Sequence, residues 1–428
     1  TALLPVIGTA LFIRYGTRQR ITGIYWWAEL TPSTRMGDWS YAIYLWHWPL
    51  IIAAGYLLDP LTWPYKLGLI ALTFALSAAS QKLIEDPLRK AKPFKIPKRA
   101  FTLMASNIAI IAALTFFIPT LLSPNTNEDV AIDECTGANA LLTNCQDQGL
   151  EGQPEISATQ VQLEAEEPTY TECNVPEGYT DFGRSGCSLG ASEDSAEFTI
   201  AVLGDSHARA WLPMLDEIGR ENNWNIQGYT KSGCTPVPLS SAEEGADQAA
   251  REESEACKQF VKDSSEEFQN SDQIDAIVTA ASPADRDFYD ESGASSDDIT
   301  SEALNDMWQE WEDAGKDAIV IGEVPHFEEL NGPTCIEANP DNVVEACSVP
   351  ADDIIEARDT SLTWAAEKES SLVSLYDPVP GVCDENRRYS MAGGLITRYD
   401  HHHLSSDFAR SYDEHFVSFL SDQLSLDS

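Results

Sequence analysis

Near residue 122 the chain changes character, and that break limits every fold open to it. Residues 1–122 hold 12 Lys and Arg against 5 Asp and Glu, while residues 123–428 hold 15 against 64. A stretch of net charge +7 is thus joined to one of −49, for −42 in all. All nine cysteines lie on the acidic side. A chain divided this way occupies two environments, and 428 residues are enough for more than one domain. The acidic balance argues against a nucleic-acid partner, whose phosphates it would repel, and leaves the substrate open.

The basic part reads as membrane-embedded. The chain opens in an apolar run, Ala2 to Ile13, without an initiator methionine, as if it began inside a transmembrane helix. Further spans are expected at about Trp39 to Leu58, Tyr65 to Ile84 and Phe101 to Leu122, each near the roughly 20 residues that a bilayer crossing needs. The loop from Lys82 to Arg99 carries Lys82, Arg89, Lys90, Lys92, Lys95, Lys98 and Arg99; the loop from Arg14 to Arg35 carries Arg14, Arg18, Arg20 and Arg35. Placing both on the cytoplasmic side makes this a multi-pass membrane protein with residues 123–428 extracytoplasmic. Cysteine usage fits that oxidising location. Close spacing suggests pairs 135–145, 173–187, 234–257 and 335–347 with Cys383 left over, although spacing does not fix connectivity. No cysteine has zinc-ligand spacing with histidine.

The acidic part is organised around Phe198-Thr199-Ile200-Ala201-Val202-Leu203-Gly204-Asp205-Ser206-His207. The apolar run reads as a buried strand ending in a tight turn, and His207 to Glu221 reads as a helix. One hydroxyl, Ser206, then stands at the carboxyl end of a strand beside a helix N-terminus. Open α/β sheets bind ligands at that edge, and N–H groups there can stabilise a developing oxyanion. Ser206 is the candidate nucleophile, although Asp and Ser are also favoured helix caps. A base and a group to orient it stand far down the chain, in Asp400-His401-His402-His403-Leu404-Ser405. Asp400 precedes His403 by three residues, close enough in a turn to hold one ring nitrogen while the other faces the serine. A helix cap would leave this second motif unexplained.

Further strands are expected near Asn225 to Tyr229, Ile274 to Ala280, Ala318 to Ile321 and Leu372 to Tyr376. Helices should bury Trp211, Leu212, Leu215 and Ile218, and then Leu304, Met307, Trp308 and Trp311 before a stop at Gly315. Another helix is expected from about Asp352 to Glu367, and a closing one from about Ser406 to Leu424 with Phe408, Phe416, Phe419 and Leu420 inward. Strand alternating with helix predicts a parallel sheet covered on both faces, an α/β three-layer sandwich. The expected organisation is residues 1–122 in the membrane, 123–197 a disulfide-stapled extension and 198–428 the α/β domain.

Gly204-Asp205-Ser206-His207 together with Asp400-x-x-His403 resembles the SGNH (GDSL-type) hydrolase superfamily. The resemblance implies catalytic Ser206, His403 and Asp400, with oxyanion donors at Ser206 and at Gly233, which matches the glycine of the family's second block. The third block normally offers Gly-x-Asn, but here the chain reads Thr279-Ala280-Ala281-Ser282, so that either Ser282 or a backbone group substitutes, or the domain has the altered oxyanion site that its resemblance to membrane-fused members implies. In the membrane part, Ser40-Tyr41-Ala42-Ile43-Tyr44-Leu45-Trp46-His47-Trp48-Pro49-Leu50, followed by Glu85-Asp86-Pro87-Leu88-Arg89, resembles the late helices of acyltransferase family 3 proteins over residues 1–90. Many members of that family carry one extra span and an outer SGNH domain. Together the resemblances imply a membrane O-acyltransferase, in which an acetyl group from cytoplasmic acetyl-CoA reaches a hydroxyl of a cell-envelope glycan or glycolipid through an acyl-serine. No cofactor or metal is expected in the outer domain. The alternatives are a membrane-anchored carbohydrate esterase and a non-catalytic glycan-binding ectodomain. His47 is either a functional intramembrane group or a histidine bonded between helices or set in an aromatic belt. His401 and His402 read as bystanders or substrate contacts, His207 as bonding within its turn, His415 as structural or exposed, and Cys383 as a buried free thiol.

Overall fold

The structure, a computed structural model, describes residues 31–57, 63–87, 101–102, 104–108, 130–164, 168–175, 187–243, 245–282, 287–327, 330–350, 361–368 and 371–424. They belong to two compact units, Thr1–Ser123 and Pro124–Ser428. The opening apolar run, the basic loops at 14–30 and 88–99, most of the span expected at Phe101 to Leu122 and the first half of the helix expected from Asp352 lie outside the described residues.

In the first unit, helix Thr31–Leu57 packs beside helix Trp63–Ser80, which runs on through a π-helical turn, Gln81–Glu85. Trp46 Nε1 donates to Ser80 Oγ at 2.9 Å across the pair. The stretch Trp63–Glu85, 23 residues long, is apolar enough to cross a membrane by length and composition. A core helix of that kind would be mostly covered, whereas 11% of its apolar window is buried. His47 Nδ1 lies 2.7 Å from the Tyr44 carbonyl and 3.2 Å from that of Ile43, so among the described residues the ring bonds back onto its own helix.

The second unit is built on a seven-stranded sheet of β1 (Asn174–Val175), β2 (Cys187–Gly190), β3 (Phe198–Gly204), β4 (Trp224–Lys231), β5 (Ala276–Ala280), β6 (Asp317–Ile321) and β8 (Ser374–Tyr376); a short β7 (Val349–Pro350) pairs elsewhere, with Arg387–Arg388. The order is β1-β4-β3-β5-β6-β8, all parallel, with β2 added antiparallel to β4. β3 is central and covered on both sides, which is why it reads as one continuous apolar run. Its side chains alternate: Ile200 and Val202 join a core with Trp211, Leu212, Leu215, Ile218, Phe408 and Phe416, while Ala201 and Leu203 join another with Phe260, Val261, Phe268, Trp308 and Trp311.

Two strands lie within the stretch expected to be an extension. β1 and β2 share the outer edge of β4, too short to carry a periodic signal. Helix Gln248–Asn270 supplies the crossover from β4 to β5; Asp247 caps it by accepting the Ala250 N–H at 2.9 Å. The helix after Ser206 is broken into Ser206–Ala210 and Leu212–Asn222, where Pro213 stands in the first turn of the second piece. The closing helix is likewise split, into Ser406–Arg410 and Asp413–Leu424. The disulfides are Cys135–Cys145, Cys173–Cys187, Cys234–Cys257 and Cys335–Cys347, and Cys383 is a buried free thiol.

Candidate active site

The serine turn forms because β3 ends on a residue that can have no side chain. A Cβ on Gly204 would collide with the Ala280 carbonyl of the neighbouring strand and with Ala208. Asp205 then leaves the strand in an extended conformation and caps helix Ser206–Ala210, its Oδ1 accepting the His207 N–H at 2.8 Å. Its Oδ2 accepts the Ser282 N–H at 2.9 Å, tying the end of β5 to the turn. Ser282 therefore spends its N–H on Asp205 and does not offer it as the missing third oxyanion donor. Burial raises the Asp205 carboxyl, against the opposing pull of His207 and these hydrogen bonds.

Ser206 is the first residue of its helix, so its N–H has no acceptor within that helix. Its Oγ–H donates to His403 Nε2 at 2.7 Å. His403 Nδ1–H donates to Asp400 Oδ2 at 2.8 Å, and Asp400 Oδ1 accepts the N–H groups of His402 and His403 at 2.9 and 2.8 Å. The carboxylate thus folds its own turn while setting the tautomer of His403. Burial works against the Asp400 charge, but the bonds from His403 and His402 outweigh it and hold the carboxyl well below its usual range. Tyr399 stacks on His403, the rings 5.1 Å apart and nearly parallel. The three side chains expected to act together are brought together. Gly233 sits at a positive φ of 71° in the turn after β4, at the same carboxyl edge of the sheet, and Cys234–Cys257 clips that turn to helix Gln248–Asn270.

His207 departs from its expected place. Its backbone N–H stays in the turn, but its ring leaves it: Nδ1 lies 3.1 Å from both oxygens of Glu323, and Nε2 is 2.9 Å from His402 Nδ1. Burial raises the Glu323 carboxyl, against the pull of Arg398, and lowers His207. His402 is accordingly more than a bystander, while the side chain of His401 has no role in these contacts. Arg398, fully buried, donates to the Pro325 carbonyl at 2.6 Å and lies over the Phe327 ring, fastening the loop after β6 to the loop that carries the base. Sequence reading missed Glu323, His326 and Arg398. Glu323 had a usable signal, since it stands two residues beyond a parallel strand on the edge where Ser206 stands.

Fold and site together define an α/β protein of the serine–histidine–acid type, with its candidate nucleophile on the turn after the central strand. Residues 172–418 match the family model described as the SGNH domain (fused to AT3 domains), and the chain belongs to that family. No curated protein matches it. Among solved structures, the periplasmic domain of a lipopolysaccharide acetyltransferase from Salmonella ser. Paratyphi A is similar at 14% identity and a TM-score of 0.39, over 54% of this chain and 85% of its own. A putative acylhydrolase from Bacteroides fragilis is similar at 12% identity and a TM-score of 0.31, over 55% and 91%. Likenesses this distant carry no argument about activity.

Proposed function

We propose that this chain is part of a membrane O-acyltransferase whose SGNH domain, outside the cytoplasmic membrane, passes an acyl group to a hydroxyl of a cell-envelope glycan or glycolipid. The observation that carries the reading is the unbroken hydrogen-bonded chain from Ser206 through His403 to Asp400. In the first half-reaction His403 takes the Ser206 proton as Oγ attacks the acyl carbonyl. The tetrahedral oxyanion is met by the Ser206 N–H, with Gly233 as the second donor; its collapse returns the proton to the leaving group and leaves an acyl-serine. In the second half-reaction His403 deprotonates the acceptor hydroxyl, which attacks the ester and frees Ser206.

The membrane side of the reading rests on the uncovered apolar helix Trp63–Glu85 and on the family's description as a domain fused to AT3 domains. The aromatic run around His47 would then belong to an acyltransferase family 3 domain fed by acetyl-CoA, and the four disulfides would suit an oxidising exterior.

The test is fluorophosphonate labelling of the full chain in detergent, followed by acyl transfer from an activated ester with and without an alcohol acceptor. Labelling of wild type that disappears in Ser206→Ala and falls sharply in His403→Ala is expected, with product that requires the acceptor. Product from water alone would turn the assignment to an esterase. A folded chain that takes no label would overturn the nucleophile and favour glycan binding.

A further inference from the structure

We propose that His207, His326 and His402 form a three-histidine site for a divalent transition metal, zinc by its chemistry, next to the Ser206–His403 pair. The site stands on its own geometry and does not depend on the acyl-transfer reading.

The three rings come from three separate parts of the chain: the serine turn, the loop after β6 and the loop that carries the base. Each offers one ring nitrogen, and the three nitrogens lie within 4.8 Å of one another. Around a tetrahedral zinc, with nitrogens at about 2.0–2.1 Å from the ion, ligand nitrogens stand roughly 3.3 Å apart. His207 Nε2 and His402 Nδ1, at 2.9 Å, need a small separation, and His326 a shift inward.

A second observation points independently to a ligand. His326 Nε2 is buried and has no hydrogen-bond partner among the described residues, where the nearest carboxylate oxygen, of Glu323, is 3.8 Å away. A polar atom shut away from water in this manner is costly unless something occupies the space before it.

The surroundings suit coordination. With Nδ1 turned to Glu323, His207 keeps Nε2 for an ion, the carboxylate–histidine–metal arrangement that fixes a ligand's tautomer and orientation. His402 Nε2 lies 4.0 Å from Asp400, a second carboxylate behind a second ring. Binding moves the hydrogen that now lies between His207 and His402 onto His402 Nε2, the nitrogen that faces Asp400. Arg398 opposes a cation here, and Glu323 beside it offsets that charge. Three protein ligands leave one position for an oxygen, of water or of a hydroxyl.

Tag-free full-length chain in detergent, stripped with a chelator, is titrated with Co2+ as a spectroscopic stand-in. One bound Co2+ per chain with the visible bands of a tetrahedral site is expected. His326→Ala should weaken binding at least about tenfold, Glu323→Gln by about 10–100-fold, and His401→Ala not at all. Circular dichroism checks that each variant is folded. Failure of the folded wild-type chain to bind Co2+, or binding unchanged in His326→Ala, would overturn the site. So would binding kept in His326→Ala but lost in His403→Ala, because the ion would then sit on Asp400, His402 and His403. Fluorophosphonate labelling of Ser206 reads the triad separately, so either reading can fail without the other.

Discussion

The carboxylate of Asp205 accepts the backbone N–H of Ser282, 77 residues away, and with its other oxygen accepts that of His207. One buried side chain thus sets the distance between two strand ends at the carboxyl edge of the sheet. Removing it strands two N–H groups, at about 1–3 kcal/mol for each. Asp205→Ala should unfold at clearly lower denaturant than wild type, and Asp205→Asn, which keeps one acceptor oxygen, should lie between them. Equal stability of the alanine and asparagine variants would show that the carboxylate does not hold the two strands.

Asp400 is partly exposed, and its side chain bonds the His403 ring. Asp400→Asn keeps the turn but supplies an amide where Nδ1–H needs an acceptor, and so favours the wrong tautomer. The rate of Ser206 labelling should fall by about ten-thousand-fold, as removal of a triad carboxylate does elsewhere. Melting temperature should change little. A labelling rate within tenfold of wild type would mean that His403 is oriented by something else.

Cys383 is buried, and burial pushes its thiol up to about 12 against the opposing charges of Arg398 and Arg388. Folded chain should resist iodoacetamide at the ordinary thiol pKa of about 8.5, and unfolded chain should react readily there. The sign for stability follows. The neutral thiol is retained at low pH at no cost, and the advantage of the folded state is lost as pH climbs from the ordinary value toward 12. A stability profile that differs between wild type and Cys383→Ala only on the alkaline side is the expected result.

Cys234 and Cys257 close a loop of sequence separation 23 and hold the turn that carries Gly233. By loop-closure entropy, replacing both with serine should cost about 3 kcal/mol of folding stability. If Gly233 is an oxyanion donor, the variant should also label more slowly while still folded. Unchanged labelling with lowered stability would confine the bridge to a structural duty.

Much of this could be read from the chain because the decisive signals are local. A buried central strand is apolar throughout, so Phe198–Gly204 stood out, and a carboxylate three residues before a histidine folds its own turn, so Asp400 and His403 stood out. Close spacing suggested the same four disulfide pairs. What could not be read is set by contacts across long separations. The direction of the His207 ring depends on Glu323, 116 residues later, and a rule that looks for histidines at fixed ligand spacing cannot find 207, 326 and 402. β1 and β2 are strands because β4 offers them an edge, and nothing in two or four residues announces that.

Ser206 and His403 are separated by 197 positions in the chain. A ribosome delivers the serine first, but the imidazole that bonds to it comes only after the whole sheet has been laid down. Such a contact closes late in folding. In the nascent protein Ser206 therefore stays without its imidazole partner until the last strand and the final loop are in place.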